Sequence, residues 1–297
     1  MKTKINPGVL LLVVFMASFS FAAEPKNDWS EMKLMGKVKS IRQLSYLAVE
    51  KDGKAQKRSR PDEVTSRGYD SFKIVFNTKG NKIEKQWLKL DGSLETRHTY
   101  KYDAKGRLIV ERRVGEQQGK CVSKYDAKGN KTQESCSDQV EGTESKSIYK
   151  YDEKGNLIEQ NCADCSPESK TTYKYDEKGN LAEATSEKDD FLAYVSKYDE
   201  SGNPVEQNAY DLGSPTSKFV NIYDEKGNLT EMKSYATDGN LNSTTTYKYN
   251  YDTAGNWVQQ IEYDGAATPK YILERTIKYF NDREIAAAGR TRAKKKK

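Results

Sequence analysis

The side chains with chemistry to offer are four cysteines, a single histidine, and tyrosines and carboxylates that recur at regular intervals. An even set of cysteines (Cys121, Cys136, Cys162, Cys165) in an exported chain favours disulfides. Cys121 and Cys136 lie at similar distances on either side of Lys128, so a hairpin turning there sets them almost opposite each other. A bridge between them closes a loop of about 15 residues and is worth about 3 kcal/mol in the chain-entropy account. Cys162–Cys165 is then the preferred second bridge, across the following turn. A zinc site or redox dithiol at Cys162-Ala-Asp-Cys165 stays open as the rival reading. No His follows Cys165, which removes c-type haem attachment. His98 reads as a sheet-surface residue, and any Ser-His or Cys-His mechanism would depend on it alone. The carboxylates recur in step (Asp126, Asp152, Asp176; Glu159, Glu183, Glu206, Glu231), which suits turn chemistry and sheet solubility better than a glycosidase pair. The spacing also lacks the dense ligand loops of calcium β-rolls. The expectation is therefore no catalytic, cofactor-binding or metal-binding residues, and no enzyme.

The tyrosines carry the functional expectation. Tyr100/Tyr102, Tyr149/Tyr151, Tyr173/Tyr175 and Tyr247/Tyr249 are each two residues apart, so in a strand each pair shares a face. Rows of such pairs form either the core of a curled sheet or a ligand platform that stacks sugar rings or anchors a protein partner.

The elements that position these residues are repeats. Tyr102-Asp-Ala-Lys-Gly-Arg is followed by Tyr-Asp-x-x-Gly-Asn at Tyr125, Tyr151, Tyr175, Tyr198, Tyr223 and Tyr251, at spacings of 23, 26, 24, 23, 25 and 28 residues. Phe76-Asn-Thr-Lys-Gly-Asn is a degenerate first copy, and Thr276 to Phe280 a truncated last strand. Thr171 to Tyr175 alternates β-branched and aromatic residues and reads as a strand. Asp176 starts a turn, and Gly179 stands where a type I turn with a following bulge requires positive φ. Gly80, Gly106, Gly129, Gly155, Gly202, Gly227 and Gly255 occupy the same position in the other copies. In that register Tyr151 faces Leu157, Glu159 shares a face with Tyr149, and Ile158 points the other way, so both faces look mixed. The fold class expected is all-β: a tandem β-hairpin meander forming a long twisted or curled antiparallel sheet, because a flat sheet of about 18 strands would twist.

Around this array (72–283) the other segments are read as a signal peptide (1–22), an N-terminal capping hairpin with a polar link (23–71), and a disordered basic tail (284–297). Lys2 and Lys4, the apolar run Val9 to Ala17 and the small residues Ser20 and Ala22 have the layout of a cleavable leader, and the run is too short to span a bilayer. The expected location is periplasmic, cell-surface or extracellular, with nothing membrane-spanning. The capping hairpin turns at Asp52-Gly53. The net charge of +6 is concentrated in the leader and in the last eight residues, so no basic groove for nucleic acid is expected. A mean hydropathy of −0.94, with 20 tyrosines, rules out a thick aliphatic core.

The Tyr-Asp-x-x-Gly-Asn hexapeptide, repeated in register over about 72–280, resembles the YD repeat of rearrangement-hotspot proteins, teneurins and insecticidal toxin-complex shells. The resemblance implies a spiralling β-sheet and, for several members, carbohydrate or cell-surface binding. This chain has about eight copies, no core segment and no C-terminal toxin, so a cocoon around a cargo is not expected. The function expected is an exported binding or scaffold module at the cell envelope that engages polysaccharide or an envelope or secreted protein. The alternative is a polymorphic-toxin accessory, as partial shell or immunity protein. Oligomeric state is left open.

Overall fold

Each Asp-x-x-Gly-Asn segment folds into the same five-residue turn. In the copy at Asp152 the backbone N–H of Asp152 donates to Asn156 O at 2.9 Å and that of Gly155 to Asp152 O at 3.1 Å. The Asp152 carboxylate accepts from the backbone N–H (2.8 Å) and side-chain amide (2.9 Å) of Asn156. Gly155 has φ +89, and the equivalent glycines of the other copies also lie at positive φ. The Asp and Asn of the motif are thus one hydrogen-bonded unit, and the glycine supplies the conformation that closes it.

The computed structural model describes residues 27–58, 71–89, 91–115, 118–162, 164–165, 168–188, 192–265 and 267–294. The leader read over 1–22 and most of the polar link lie outside these residues. A short helix, α1 (Asp28–Glu31), precedes the hairpin of β1 (Val38–Lys51) and β2 (Lys54–Lys57). The array follows as β3 (Phe72–Phe76), β4 (Lys82–Leu88), β5 (Leu94–Tyr102), β6 (Leu108–Gly115), β7 (Gly119–Tyr125), β8 (Lys131–Asp138), β9 (Glu144–Tyr151), β10 (Leu157–Cys162) and β11 (Ser169–Tyr175). It continues as β12 (Leu181–Lys188), β13 (Leu192–Tyr198), β14 (Pro204–Asp211), β15 (Ser214–Tyr223), β16 (Leu229–Tyr235), β17 (Leu241–Tyr251), β18 (Trp257–Asp264) and β19 (Pro269–Tyr279). From β3 to β19 every strand pairs antiparallel with its sequence neighbours.

The sheet does not end as an open curl, and this corrects the expected architecture. β1 pairs with β19 from Val38↔Tyr279 to Leu47↔Tyr271, and with β3 from Ser40↔Val75 to Gln43↔Phe72. Eighteen of the nineteen described strands, all but β2, therefore form a closed antiparallel β-barrel. The physical reason is edge pairing. An open meander would leave the outer edges of β3 and β19 unsatisfied, and one strand laid between them satisfies both. The N-terminal hairpin is thus a closing staple rather than an end cap. Its outer half, Ala48 to Lys51, continues past the ring and pairs with β2.

The densest packing lies at this seam. Val38, Ile41, Phe72, Ile74 and Phe76 are buried together, with Trp29, Met32, Leu34 and Ile277 packed against them. Full burial of such side chains is worth about 1.5–3 kcal/mol each.

Around the rest of the ring each copy carries a second irregularity, which decides the residues that share a face. Tyr151 pairs with Leu157, but Lys150 then pairs with Glu159 and Tyr149 with Gln160, leaving Ile158 as an extra residue. The same shift recurs after Leu181, Pro204 and Leu229. It places Glu159 opposite Lys150 rather than beside Tyr149, which corrects that placement, while both faces stay mixed: Ile222 lies opposite Glu231 on one and Gln160 opposite Tyr149 on the other. One wall carries the row Lys174↔Glu183↔Lys197↔Glu206, with ion pairs of 2.7 Å (Lys174–Glu183) and 3.0 Å (Lys197–Glu206). Hydrogen bonds from Lys218, Asn208 and Lys197 push the Glu206 carboxyl down to about 2. The opposite wall carries the tyrosines and faces the lumen.

The tail read as disordered from 284 is helical over Asp282–Lys294 (α2), with 295–297 outside the described residues. The run Ala286-Ala287-Ala288 favours helix, and Asn281 caps it. Asn281 Oδ1 accepts from Glu284 N at 2.9 Å, and Glu284 Oε2 accepts from Asn281 N at 3.0 Å, a reciprocal capping box.

Candidate ligand cavity in the barrel lumen

The motif tyrosines line the inner wall near the rim, where their hydroxyls lock successive hairpins together. Tyr102 donates to Lys82 O (2.7 Å), Tyr125 to Leu108 O (2.7 Å), Tyr151 to Lys131 O (2.9 Å) and Tyr175 to Leu157 O (2.8 Å). In each case the acceptor is the residue just after the preceding turn. In the pairing of β10 with β11 the ladder stops at Glu159↔Thr172, so Tyr175 satisfies a carbonyl the ladder leaves over. Burial pushes the hydroxyls of Tyr102, Tyr151, Tyr175 and Tyr249 above the ordinary phenol range, so they remain protonated donors.

Residues 27–37 cross the mouth ringed by these turns. Asn27 and Ser30 cap α1 reciprocally. Trp29 N–H donates to Gly80 O at 3.2 Å, and the Asn27 amide donates to Lys79 O at 2.9 Å. Lys33 then reaches Asn203 Oδ1. Met35 N–H donates to Asn256 Oδ1 and Asn256 Nδ2 to Met35 O, both at 2.8 Å. Lys33 Nζ also donates to Gly227 O at 3.4 Å, so the segment is a strap tied to four turns around the mouth. The turn asparagines it covers, Asn81, Asn203 and Asn256, are buried.

Two cavities lie along the wall from β14 to β19. The first, of about 930 Å³, opens at the end away from the strap. Its floor includes the cross-strand row Gln207↔Phe219↔Ser234↔Ser243, with Thr245, Tyr247 and Gln260 beside it. The second, of about 760 Å³, lies beneath the strap against Tyr249, Trp257 and Arg275. Leu229 borders both. Barrels of this strand number are too wide for side chains to fill, and both volumes suit small-molecule sites.

Of the eight tyrosines read as a platform, Tyr247 lines the first cavity and Tyr249 the second. Tyr100, Tyr102, Tyr149, Tyr151, Tyr173 and Tyr175 belong to the wall from β5 to β11 and border neither. Phe219, Gln260, Trp257 and Arg275 were not singled out by sequence. The one available signal is that Trp257 takes the place that leucine holds after the turn in other copies.

His98 is not on the outer surface. It lies in the inner row Ile74↔Lys85↔His98↔Arg113, with its ring 4.4 Å from Trp87 and Nδ1 2.8 Å from Glu111. Burial lowers its pKa, while Glu111 opposes that shift. Cys121 is bonded to Cys136, directly opposite in the β7–β8 register, and Cys162 is bonded to Cys165. Among the described residues no group of three or more His, Cys, Asp or Glu could hold a metal ion. No described helix is long and apolar enough to cross a membrane.

No family model matches the chain, and no curated protein does. Among solved structures it is similar to a porin-like protein from Bacteroides uniformis, with a TM-score of 0.42 at 13% identity, over 82% of this chain and 98% of that one. A Tc holotoxin pore structure from Photorhabdus luminescens aligns with a TM-score of 0.31 at 14% identity, over 78% of this chain and 14% of that one. A putative outer membrane lipoprotein-sorting protein domain from Vibrio parahaemolyticus gives 0.24 at 9% identity, over 86% of this chain and 92% of that one.

Proposed function

We propose that this chain is an exported binding protein of the cell envelope, not an enzyme, that takes a short saccharide end-on into its lumen. The observation that carries the reading is the wall of the open cavity. Uncharged amides and hydroxyls (Gln207, Ser234, Ser243, Thr245, Gln260) alternate there with the rings of Phe219 and Tyr247. Sugars present hydroxyls to such amides and C–H faces to such rings. A long polymer stacked along the outside of the sheet on the tyrosine pairs is disfavoured, because the pairs face inward. The alternating Lys–Glu row on the outer wall supports a water-facing barrel, since a bilayer-spanning one needs an apolar outer band about 25 Å tall.

Membership of the YD-repeat group is part of the same proposal. It is supported by the recurring turn and by the tyrosine lock that ties each turn to the next. A shell around a toxin is disfavoured, because a cavity of about 930 Å³ holds a small ligand and not a folded domain. A glycan array probed with the purified protein tests the proposal. Binding to short oligosaccharides that is lost in Phe219→Ala and Tyr247→Ala is the expected result. Silence on the array, with capture of a protein from envelope extracts, would overturn it in favour of a scaffold or immunity role.

A further inference from the structure

Arg275 is held in an unusual way for a cation inside a barrel. Its guanidinium carbon lies 3.3 Å from the centroid of the Trp257 ring, and its Nε–H donates to Gln43 Oε1 at 2.9 Å. Among the described residues no carboxylate pairs with it, and Nε alone of its nitrogens has a hydrogen-bond acceptor. Arg275 borders the cavity of about 760 Å³ beneath the strap, which Glu31, Met32, Lys33, Leu34 and Met35 line from above. The nearby Tyr249 hydroxyl is already engaged, donating to Leu229 O (2.8 Å) and accepting from Gln260 Nε2 (2.9 Å).

A cation withdrawn from water without a counter-ion is costly, and the cost falls when an anion enters. A guanidinium stacked on indole and fixed at Nε has its remaining N–H fork pre-oriented, which matches an oxyanion bidentately. We infer that Arg275 anchors an oxyanion site under the strap that takes the carboxylate of an acidic saccharide. This deepens the saccharide reading above and rests on it. Met32, Leu34 and Met35 of the strap, the Trp257 and Tyr249 rings and the stacked Arg275 describe a pocket for a ring-shaped body with one acidic substituent, and Lys33, Lys226, Glu31 and Glu225 lie on the same lining. Burial pushes Arg275 down to about 9, which leaves it charged at neutral pH.

The test titrates the full chain with glucuronate, glucose and inorganic phosphate, read by calorimetry and by tryptophan fluorescence. Trp257→Phe identifies the signal that belongs to this site. Glucuronate is expected to bind more tightly than glucose and to quench Trp257. Arg275→Gln should weaken glucuronate about 10- to 100-fold while leaving glucose unchanged. Arg275→Lys, which keeps the stem and the charge, should fold normally and recover only part of the affinity. Binding of phosphate through Arg275 with neither sugar bound would uphold the oxyanion site and sink the saccharide reading. Equal binding of glucuronate and glucose, untouched in both Arg275 variants, would overturn the inference, as would no binding of any of the three probes.

Discussion

The seam and the repeat array hold together by different physics. At the seam, Val38, Ile41, Phe72, Ile74 and Phe76 exclude water completely or nearly so, and one strand satisfies two edges. Across the array from β9 to β16, most side chains stay partly exposed. The ring is held there by ladder bonds, turn-closing Asp–Asn units, tyrosine hydroxyls and exposed ion pairs. The periodic part therefore shapes the barrel, and the non-periodic part fixes it shut. A chain of low hydropathy folds this way because its apolar side chains are concentrated where closure needs them.

That contrast can be broken in order of effect. Phe76→Ala at the seam should cost about 3–5 kcal/mol, read by denaturant unfolding, because the surrounding strands cannot collapse onto the gap. A loss no larger than that of an array substitution would erase the distinction between the regions. Replacing Cys121 and Cys136 together by serine should cost about 3 kcal/mol, read by denaturant unfolding. Tyr151→Phe removes one hydroxyl lock and should cost about 1 kcal/mol, with faster amide exchange confined to the neighbouring hairpins.

His98 adds a pH term. Its pKa in the fold lies below the ordinary 6.5, so unfolding takes up a proton at mildly acidic pH. Stability is full above about 6.5 and declines as pH falls from there towards the folded-state value. His98→Gln should flatten that slope in thermal unfolding scans. The smallest effect belongs to Lys174→Ala. The lysine side chain is 74% exposed in its pair with Glu183, and stability should move by less than about 0.5 kcal/mol.

What the sequence made legible follows the same division. The turns at the motif glycines, the Tyr151–Leu157 pairing and the Cys121–Cys136 opposition are local, because the chemistry of Asp-x-x-Gly-Asn sets them within one hairpin. The extra residue at Ile158 left no mark, since Leu-Ile-Glu reads like any strand start, and missing it placed Glu159 on the wrong face. Closure was hidden for a different reason. The partners of Ile41 are Ile277 and Ile74, and nothing in β1 names either. The cavity residues were illegible because Arg275, Trp257 and Phe219 become one wall only after the ring forms. The capped helix α2 was masked by the charge of the tail, which says nothing about the Ala-rich turn preceding it.

Closure of the ring can be read from one distance. Arg42 pairs with Thr276 on one side and with Lys73 on the other, so spin labels at Thr276 and Lys73 sit two strand spacings apart, about 10 Å between backbones. Electron–electron dipolar measurement on the doubly labelled protein should give a single short, narrow distance. An open sheet would separate the same labels by about 75 Å, and a long, broad distribution would contradict the barrel and the lumen sites built on it.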